Sequence, residues 1–246
     1  MKLRDQVAII TGGGRNIGEE IGRVFAAEGA KIVIVDMDKG RGDKVAAEIQ
    51  ATGAQAMAVV CDISAVEDIK AMVKAVVEKF GKIDILINNA AISDNKNIFE
   101  ITKEEWDKTL AVTLTGPFLM TKYVAEQMVR QGQGGKIVNI ASTSGYKGRD
   151  KAIGYTAAKA GVLNLSRSMA IQLAPYNIRV NTISPNMIGS PVGKDTFDPN
   201  RKVVNLKGRP GEPIDVAKAA LFLVSDDSEF IVGIDMFVDG GAMASL

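Results

Sequence analysis

Tyr155 and Lys159 stand four residues apart in Tyr155-Thr156-Ala157-Ala158-Lys159, and Ser142 lies thirteen residues before the tyrosine, just after the apolar run Lys136–Ala141. On a helix, a spacing of four stacks the phenol and the ammonium on one face, about 6 Å apart along the axis. A cation there favours the phenolate and predicts a tyrosine pKa below its ordinary value of about 10. A phenol so adjusted can exchange a proton with an alcohol or a carbonyl near neutrality. Ser142 is expected to hold the same oxygen by a hydrogen bond. A surface Tyr-Lys pair on an amphipathic helix would show the same spacing, so the rest of the chain has to decide.

Composition removes many rivals. The chain of 246 residues contains no His, which excludes Ser-His-Asp hydrolysis, Cys-His proteolysis and the His-x-x-x-His zinc helix, and no metal site is expected. Acid and base work falls to Tyr, Lys, Asp or Glu. The net charge of +1, without long charged runs, argues against a nucleic-acid partner. One cysteine, Cys61, forbids an internal disulfide and fits a reducing compartment. No stretch is long and apolar enough for a membrane span, and the start reads as a strand without a signal-peptide core. A cytoplasmic location is the expectation.

The elements that must position the pair are legible as alternation. Apolar strands are expected at Val7–Ile10, Lys31–Val35, Ala56–Val60, Ile83–Ile87, Ile137–Ile140, Ile178–Ile183 and Asp235–Val238. Helical stretches lie between them: Ile17–Glu28, one ending near Thr52, Val66–Phe80 stopped by Gly81, Thr102–Arg130 broken at Gly116-Pro117, the helix carrying Tyr155, and Asp215–Val224. The pattern predicts an α/β fold: a doubly wound Rossmann-type sheet of about seven mainly parallel strands with helices on both faces. One domain over 1–246 is expected, with 186–213 as a lid over the substrate.

Thr11-Gly12-Gly13-Gly14-Arg15-Asn16-Ile17-Gly18 falls at the first strand-to-helix junction. Glycines there allow a tight turn and close approach of a pyrophosphate to a helix N-terminus. Asp36, eighteen residues after Gly18 at the end of the second strand, can accept both ribose hydroxyls of NAD and would repel a 2′-phosphate. Arg15 points the other way, since a guanidinium suits that phosphate. The balance predicts NAD over NADP.

Together these residues resemble the short-chain dehydrogenase/reductase family over essentially the whole chain, Val7 to Gly241. Cys61-Asp62-Ile63, Asn88-Asn89-Ala90, Ser142 with Tyr155 and Lys159, Asn177–Asn181 followed by Ser184-Pro185, and Val238-Asp239-Gly240-Gly241 fall in that family's order. The resemblance implies Ser142, Tyr155 and Lys159 as catalytic residues. It assigns the cofactor to Gly12, Gly14, Arg15, Asn16, Ile17, Gly18, Asp36, Met37, Asp62, Ile63, Asn89, Ala90, Pro185, Ile188 and Ser190, with Tyr155 and Lys159.

Departures from the pattern are few. Asn16 replaces a glycine, tolerates left-handed backbone, and is expected to bond into its own turn. Ala91 replaces the last glycine of the Asn-Asn-Ala-Gly motif, Asn186 replaces the glycine after Pro185, and Ser190 stands where a threonine often bonds the carboxamide. Thr113 stands where the family has an asparagine at a helix distortion whose main-chain carbonyl holds a water of the proton relay to the lysine. A threonine can bend a helix by bonding one turn back, so the relay is expected to persist. A plain helix-packing residue is the alternative.

The implied reaction is reversible hydride transfer between a secondary alcohol and its ketone, with Tyr155 as general acid/base. An NAD(P)H-dependent carbonyl reductase and a non-catalytic dinucleotide-binding regulator remain alternatives. Cations outnumber acids around the expected pocket: Lys96, Lys147, Arg149, Lys151, Lys194, Arg201, Lys202, Lys207 and Arg209 stand against Asp94, Asp150, Asp195 and Asp198. An anionic substrate and a solvated basic rim both fit this, and Phe197 is a candidate for closing the lid. The family implies a homo-oligomer, tetramer or dimer, with the helices over 102–130 and 150–174 and the segment Phe230–Leu246 as interfaces.

Overall fold

Alternation of side chains along the strands builds two cores from one sheet. In the computed structural model, which describes residues 1–189 and 203–244, β1 (Val7–Thr11) is buried throughout. Its Ala8 and Ile10 join Ile32, Ile34, Ile85, Ile87 and Val138 on one face, while Val7 and Ile9 join Val33, Val35, Leu86, Ile137 and Val180 on the other. A strand's period of two sends neighbours to opposite faces, so a strand covered on both sides must be apolar throughout.

The helices supply both covers. α1 (Asn16–Ala27), α2 (Lys39–Ala51) and α7 (Pro213–Val224) close the first core through residues such as Ile21, Phe25, Ile49, Val216 and Leu223. α3 (Val66–Phe80), α5 (Gly116–Gln131) and the far end of α6 (Ile153–Leu173) close the second through Ile69, Met72, Val124, Met128 and Met169. The stop after Phe80 is a left-handed Gly81 (φ 80°).

With β2 (Lys31–Asp36), β3 (Ala56–Val60), β4 (Ile85–Asn88), β5 (Gly135–Ile140), β6 (Ile178–Pro185) and β7 (Asp235–Val238), the sheet runs β3-β2-β1-β4-β5-β6-β7. All six pairings are parallel. The chain winds outward in both directions from β1 and β4. The crevice at their carboxyl ends is the switch point where open α/β sheets hold ligands.

One expectation moves. The break in the long helical stretch comes before Gly116-Pro117. α4 (Lys103–Leu110) passes into one π turn, Ala111–Thr115, in which the Gly116 N–H bonds the Ala111 carbonyl five residues back. Proline explains the displacement. Pro117 has no N–H for the carbonyl four residues earlier, that of Thr113, and its ring crowds that carbonyl. The ladder therefore widens upstream of the proline.

Candidate active site

A cleft of about 900 Å³ opens along the carboxyl ends of β1, β2, β4, β5 and β6. One end is built by the glycine turn. Gly12 is left-handed (φ 60°), and a Cβ there would meet Ala90 Cα at 3.0 Å. A Cβ on Gly14 would meet Asp36 Oδ2 at 2.7 Å, and one on Gly18 would collide with the Gly12 carbonyl and come within 2.7 Å of Asn89 Nδ2. Gly12, Arg15, Asn16 and Ile17 face the cleft, while Gly14 and Gly18 let the turn pack behind it. The Asn89 amide donates to the carbonyls of Thr11 (3.0 Å) and Gly12 (3.1 Å), clamping the turn onto β4. Thr11 Oγ1 accepts the N–H groups of Asn89 and Ala90.

Asn16 adopts the left-handed conformation its type allows (φ 58°), but its side chain does not bond into the turn as expected. Its Oδ1 is buried with no protein partner. A buried acceptor in a cleft is costly unless a ligand or water satisfies it. That orphan acceptor suits a donor such as a ribose hydroxyl or a water, and the side-chain-free cradle at the α1 N-terminus suits a dinucleotide pyrophosphate.

Asp36 is held ready. Its Oδ2 accepts the Gly14 N–H (3.1 Å), its Oδ1 accepts the Asp38 N–H (3.0 Å), and the Arg41 guanidinium lies 3.6 Å away. Arg41, which also pairs with Asp38 at 3.2 Å, carries no motif and was invisible to sequence reasoning. Met37, Asp62, Ile63, Asn89, Ala90, Pro185 and Ile188 all line the cleft. Ser190, Phe197 and the middle of the expected lid lie outside the described residues, with Lys194, Asp195, Asp198, Arg201 and Lys202. The two ends of that segment meet: Gly189 N–H bonds the Gly211 carbonyl (2.7 Å) and Gly211 N–H bonds the Met187 carbonyl (3.1 Å).

At the other end Ser142, Tyr155 and Lys159 converge on one wall. Ser142 follows β5 and accepts the Ser144 N–H at 3.1 Å, which leaves its own hydroxyl proton free to donate. Tyr155 and Lys159 ride α6, whose N-terminus has no cap of its own because Ala152 stands there in left-handed backbone (φ 69°). Asp94, from the segment after β4, caps it instead, accepting from Gly154 N (3.3 Å) and Tyr155 N (2.9 Å). A cap donated from sixty residues away leaves no sequence signal.

The electrostatics correct one expectation. The Tyr155 phenol lies above its ordinary pKa, because burial outweighs the lowering from the Ser142 hydroxyl and the Arg149 charge. The Lys159 ammonium does not reach the phenol. It lies 5.6 Å from the ring centroid and donates to the Ile140 carbonyl at 2.5 Å. Burial brings Lys159 itself down to about 7, so much of its charge is gone at neutrality.

Thr113, fully buried, does not line the cleft. Its hydroxyl accepts the Ile92 N–H (3.1 Å) and donates to the Ile92 carbonyl (3.0 Å), rather than bonding back into its own helix. It thereby fastens the π turn to the segment carrying Asp94. Asn88 and Asn139 add a buried chain across β4 and β5: Asn88 Nδ2 donates to Thr121 Oγ1 (3.0 Å) and Asn139 Oδ1 (2.8 Å), and Asn139 Nδ2 to Ser166 Oγ (2.8 Å). The chain ties α5 and α6 to the strands that end in the cleft.

Among the described residues no helix is long and apolar enough to cross a membrane. A family model described as enoyl-(acyl carrier protein) reductase matches residues 12–243. Galactitol 2-dehydrogenase of Agrobacterium fabrum is 38% identical, with 98% of each chain covered. An NAD-dependent glycerol dehydrogenase of Listeria innocua is 37% identical over 97% of this chain and 94% of its own. A solved 7α-hydroxysteroid dehydrogenase, complexed with NADH and 7-oxo glycochenodeoxycholic acid, superposes with a TM-score of 0.93 at 34% identity, covering 98% of this chain and 95% of its own. On this sequence, this sheet and these matches, the chain belongs to the short-chain dehydrogenase/reductase family and is an oxidoreductase.

Proposed function

We propose that this oxidoreductase interconverts a secondary alcohol and its ketone with NAD, using Tyr155 as the proton-transferring group. The observation that carries the reading is the convergence of Ser142, Tyr155 and Lys159 on one wall of a cleft that begins at the glycine turn. The nicotinamide, when bound, supplies or accepts the hydride. The chain's own residues do the rest. Tyr155 takes the alcohol proton or returns it to the ketone oxygen. Ser142 donates to that oxygen and stabilises charge developing on it. Lys159 stands behind the phenol, and the Thr113 carbonyl, which Pro117 cannot engage, is available to a water of the proton path.

Asp36, fixed by two backbone N–H groups, favours NAD. Arg41 and Arg15 support a second reading, an enzyme that also accepts the 2′-phosphate of NADP. Fluorescence titration of NADH and NADPH distinguishes them, and tighter NADPH binding overturns the NAD assignment. The polyol-oxidising relatives support oxidation as the direction to test first. The test is reduced-cofactor formation from NAD with aliphatic, cyclic, polyol, steroid and hydroxy-acid alcohols, with Tyr155→Phe alongside. Turnover that this variant loses, while still binding NADH, supports the mechanism; turnover that it retains refutes it.

We also propose a homo-oligomer. Phe118 and Val129 on α5, Ile171 on α6 and Tyr176 just beyond it are exposed apolar side chains on one side of the molecule, lining or adjoining a single groove. Light scattering that returns a monomer refutes this assembly.

A further inference from the structure

We propose that the substrate carries a compact oxyanion, a carboxylate or a phosphate, held by Arg149 with Lys147 on the catalytic wall of the cleft. This rests on the alcohol–ketone reading above and names its substrate class.

Of the cations expected around the pocket, the geometry selects two. Lys147 and Arg149 line the cleft together with Ser142 and Tyr155. Arg209 is committed to Asp215 at 2.8 Å, and Lys96, Lys151 and Lys207 do not face the cleft. Among the described residues neither Lys147 nor Arg149 forms an ion pair.

Among the described residues, the acids that could neutralise them are placed elsewhere. The only carboxylates among the described residues that line the cleft are Asp36 and Asp62, beyond the ends of β2 and β3. β2 and β5 are three strand spacings apart in the sheet order, roughly 14 Å, which exceeds the screening length of about 8 Å at physiological salt. Asp94 is taken up by the backbone of Gly154 and Tyr155. Asp150, next in sequence to Arg149, is exposed and makes no ion pair with it. Among the described residues, the half of the cleft that holds Ser142 and Tyr155 is therefore positive and unpaired.

Arg149 shares the cleft with Tyr155, and its charge lowers the phenol's pKa against the effect of burial. An anion on Arg149 would thus share the cleft with the hydroxyl that meets Tyr155. Arg supplies a planar fork that binds carboxylate or phosphate through two parallel bonds, and Lys supplies a point charge.

The test uses the NADH-loaded full chain and matched probes. 2-Hydroxybutyrate and 3-hydroxybutyrate are each compared with their primary amides, and glycerol 3-phosphate with glycerol, by calorimetric binding and by kcat/KM with NAD. At least one anion should exceed its neutral counterpart by about tenfold or more, the size of one charge-assisted pair. The carboxylate and phosphate arms tell the two sources apart. The anion-to-neutral ratio should fall toward one in Arg149→Gln and recover in part in Arg149→Lys. A wild-type ratio near one in every pair, no binding of any probe at millimolar concentration, or a ratio that survives both Arg149→Gln and Lys147→Gln overturns the proposal. Anion preference in binding without turnover of any probe would leave this site standing and count against the alcohol–ketone reading instead.

Discussion

Lys159→Met should change how stability depends on pH, by an amount the structure sets. Burial lowers the ammonium from its ordinary 10.5 to about 7. The folded state thus disfavours the charged form. Below about pH 7 both folded and unfolded chains carry the proton, and the full burial penalty is present. Between about 7 and 10.5 the folded chain has released the proton and the unfolded chain still holds it. Stability of the wild type therefore rises across that window by about 1.4 kcal/mol per pH unit, to a limit of about 5 kcal/mol. A methionine of similar length has no such term. Loss of the bond to the Ile140 carbonyl adds an offset, but that offset is nearly independent of pH. The quantity to measure is the wild-type minus variant difference in unfolding free energy, from urea titrations of cofactor-free protein at one protein concentration. Between pH 6 and pH 9 it should move by about 2–3 kcal/mol in favour of the wild type. Parallel curves over that range would mean that Lys159 titrates as an ordinary surface lysine, and the argument from burial would fall with them.

Four further outcomes follow from the same geometry. In the cofactor-free protein the Tyr155 phenol should ionise at higher pH than an ordinary tyrosine; a wild-type minus Tyr155→Phe ultraviolet titration that showed ionisation near neutrality would contradict its burial. Thr113→Ala should cost about 2 kcal/mol in urea unfolding, because both main-chain groups of Ile92 lose their partner. Thr113→Asn should hold turnover within a few-fold, and its loss would show that the site needs the hydroxyl. Pro117→Ala returns an N–H to the Thr113 carbonyl, so turnover should fall without loss of stability; unchanged kinetics would remove that carbonyl from the proton path.

Much of the fold was legible because its causes are local. Five consecutive buried residues in β1, or the left-handed Gly81 after Phe80, follow from the chemistry of a few neighbours. The shared placement of Tyr155 and Lys159 was legible for the same reason, since a helix turns four residues into one face. What failed was non-local. The tyrosine pKa was expected to follow its lysine neighbour, but burial and the Ile140 carbonyl, nineteen residues away, decided where the ammonium went. Arg41 on Asp36 and Asp94 on the α6 terminus depend on how separate segments dock. The helix break was placed too late, at Gly116-Pro117, because a proline acts on the carbonyl behind it, whereas the distortion expected at Thr113 falls within the π turn.

The bond from Asp94 to the backbone of Tyr155 has a consequence for redesign. The segment 92–97 would ordinarily be the first place to exchange when altering which substrate an enzyme takes, since Ser93 and Asn95 face the cleft. Here it is also the bracket of α6: Asp94 holds Gly154 and Tyr155, the Lys96 carbonyl accepts the Ala152 N–H at 2.8 Å, and Ile92 is fastened to Thr113. A grafted loop that broke these bonds would move the phenol as well as the pocket wall, and would read as an inactive enzyme rather than one with a new preference. Libraries that keep Ile92, Asp94 and Lys96 while varying Ser93 and Asn95 separate the two effects.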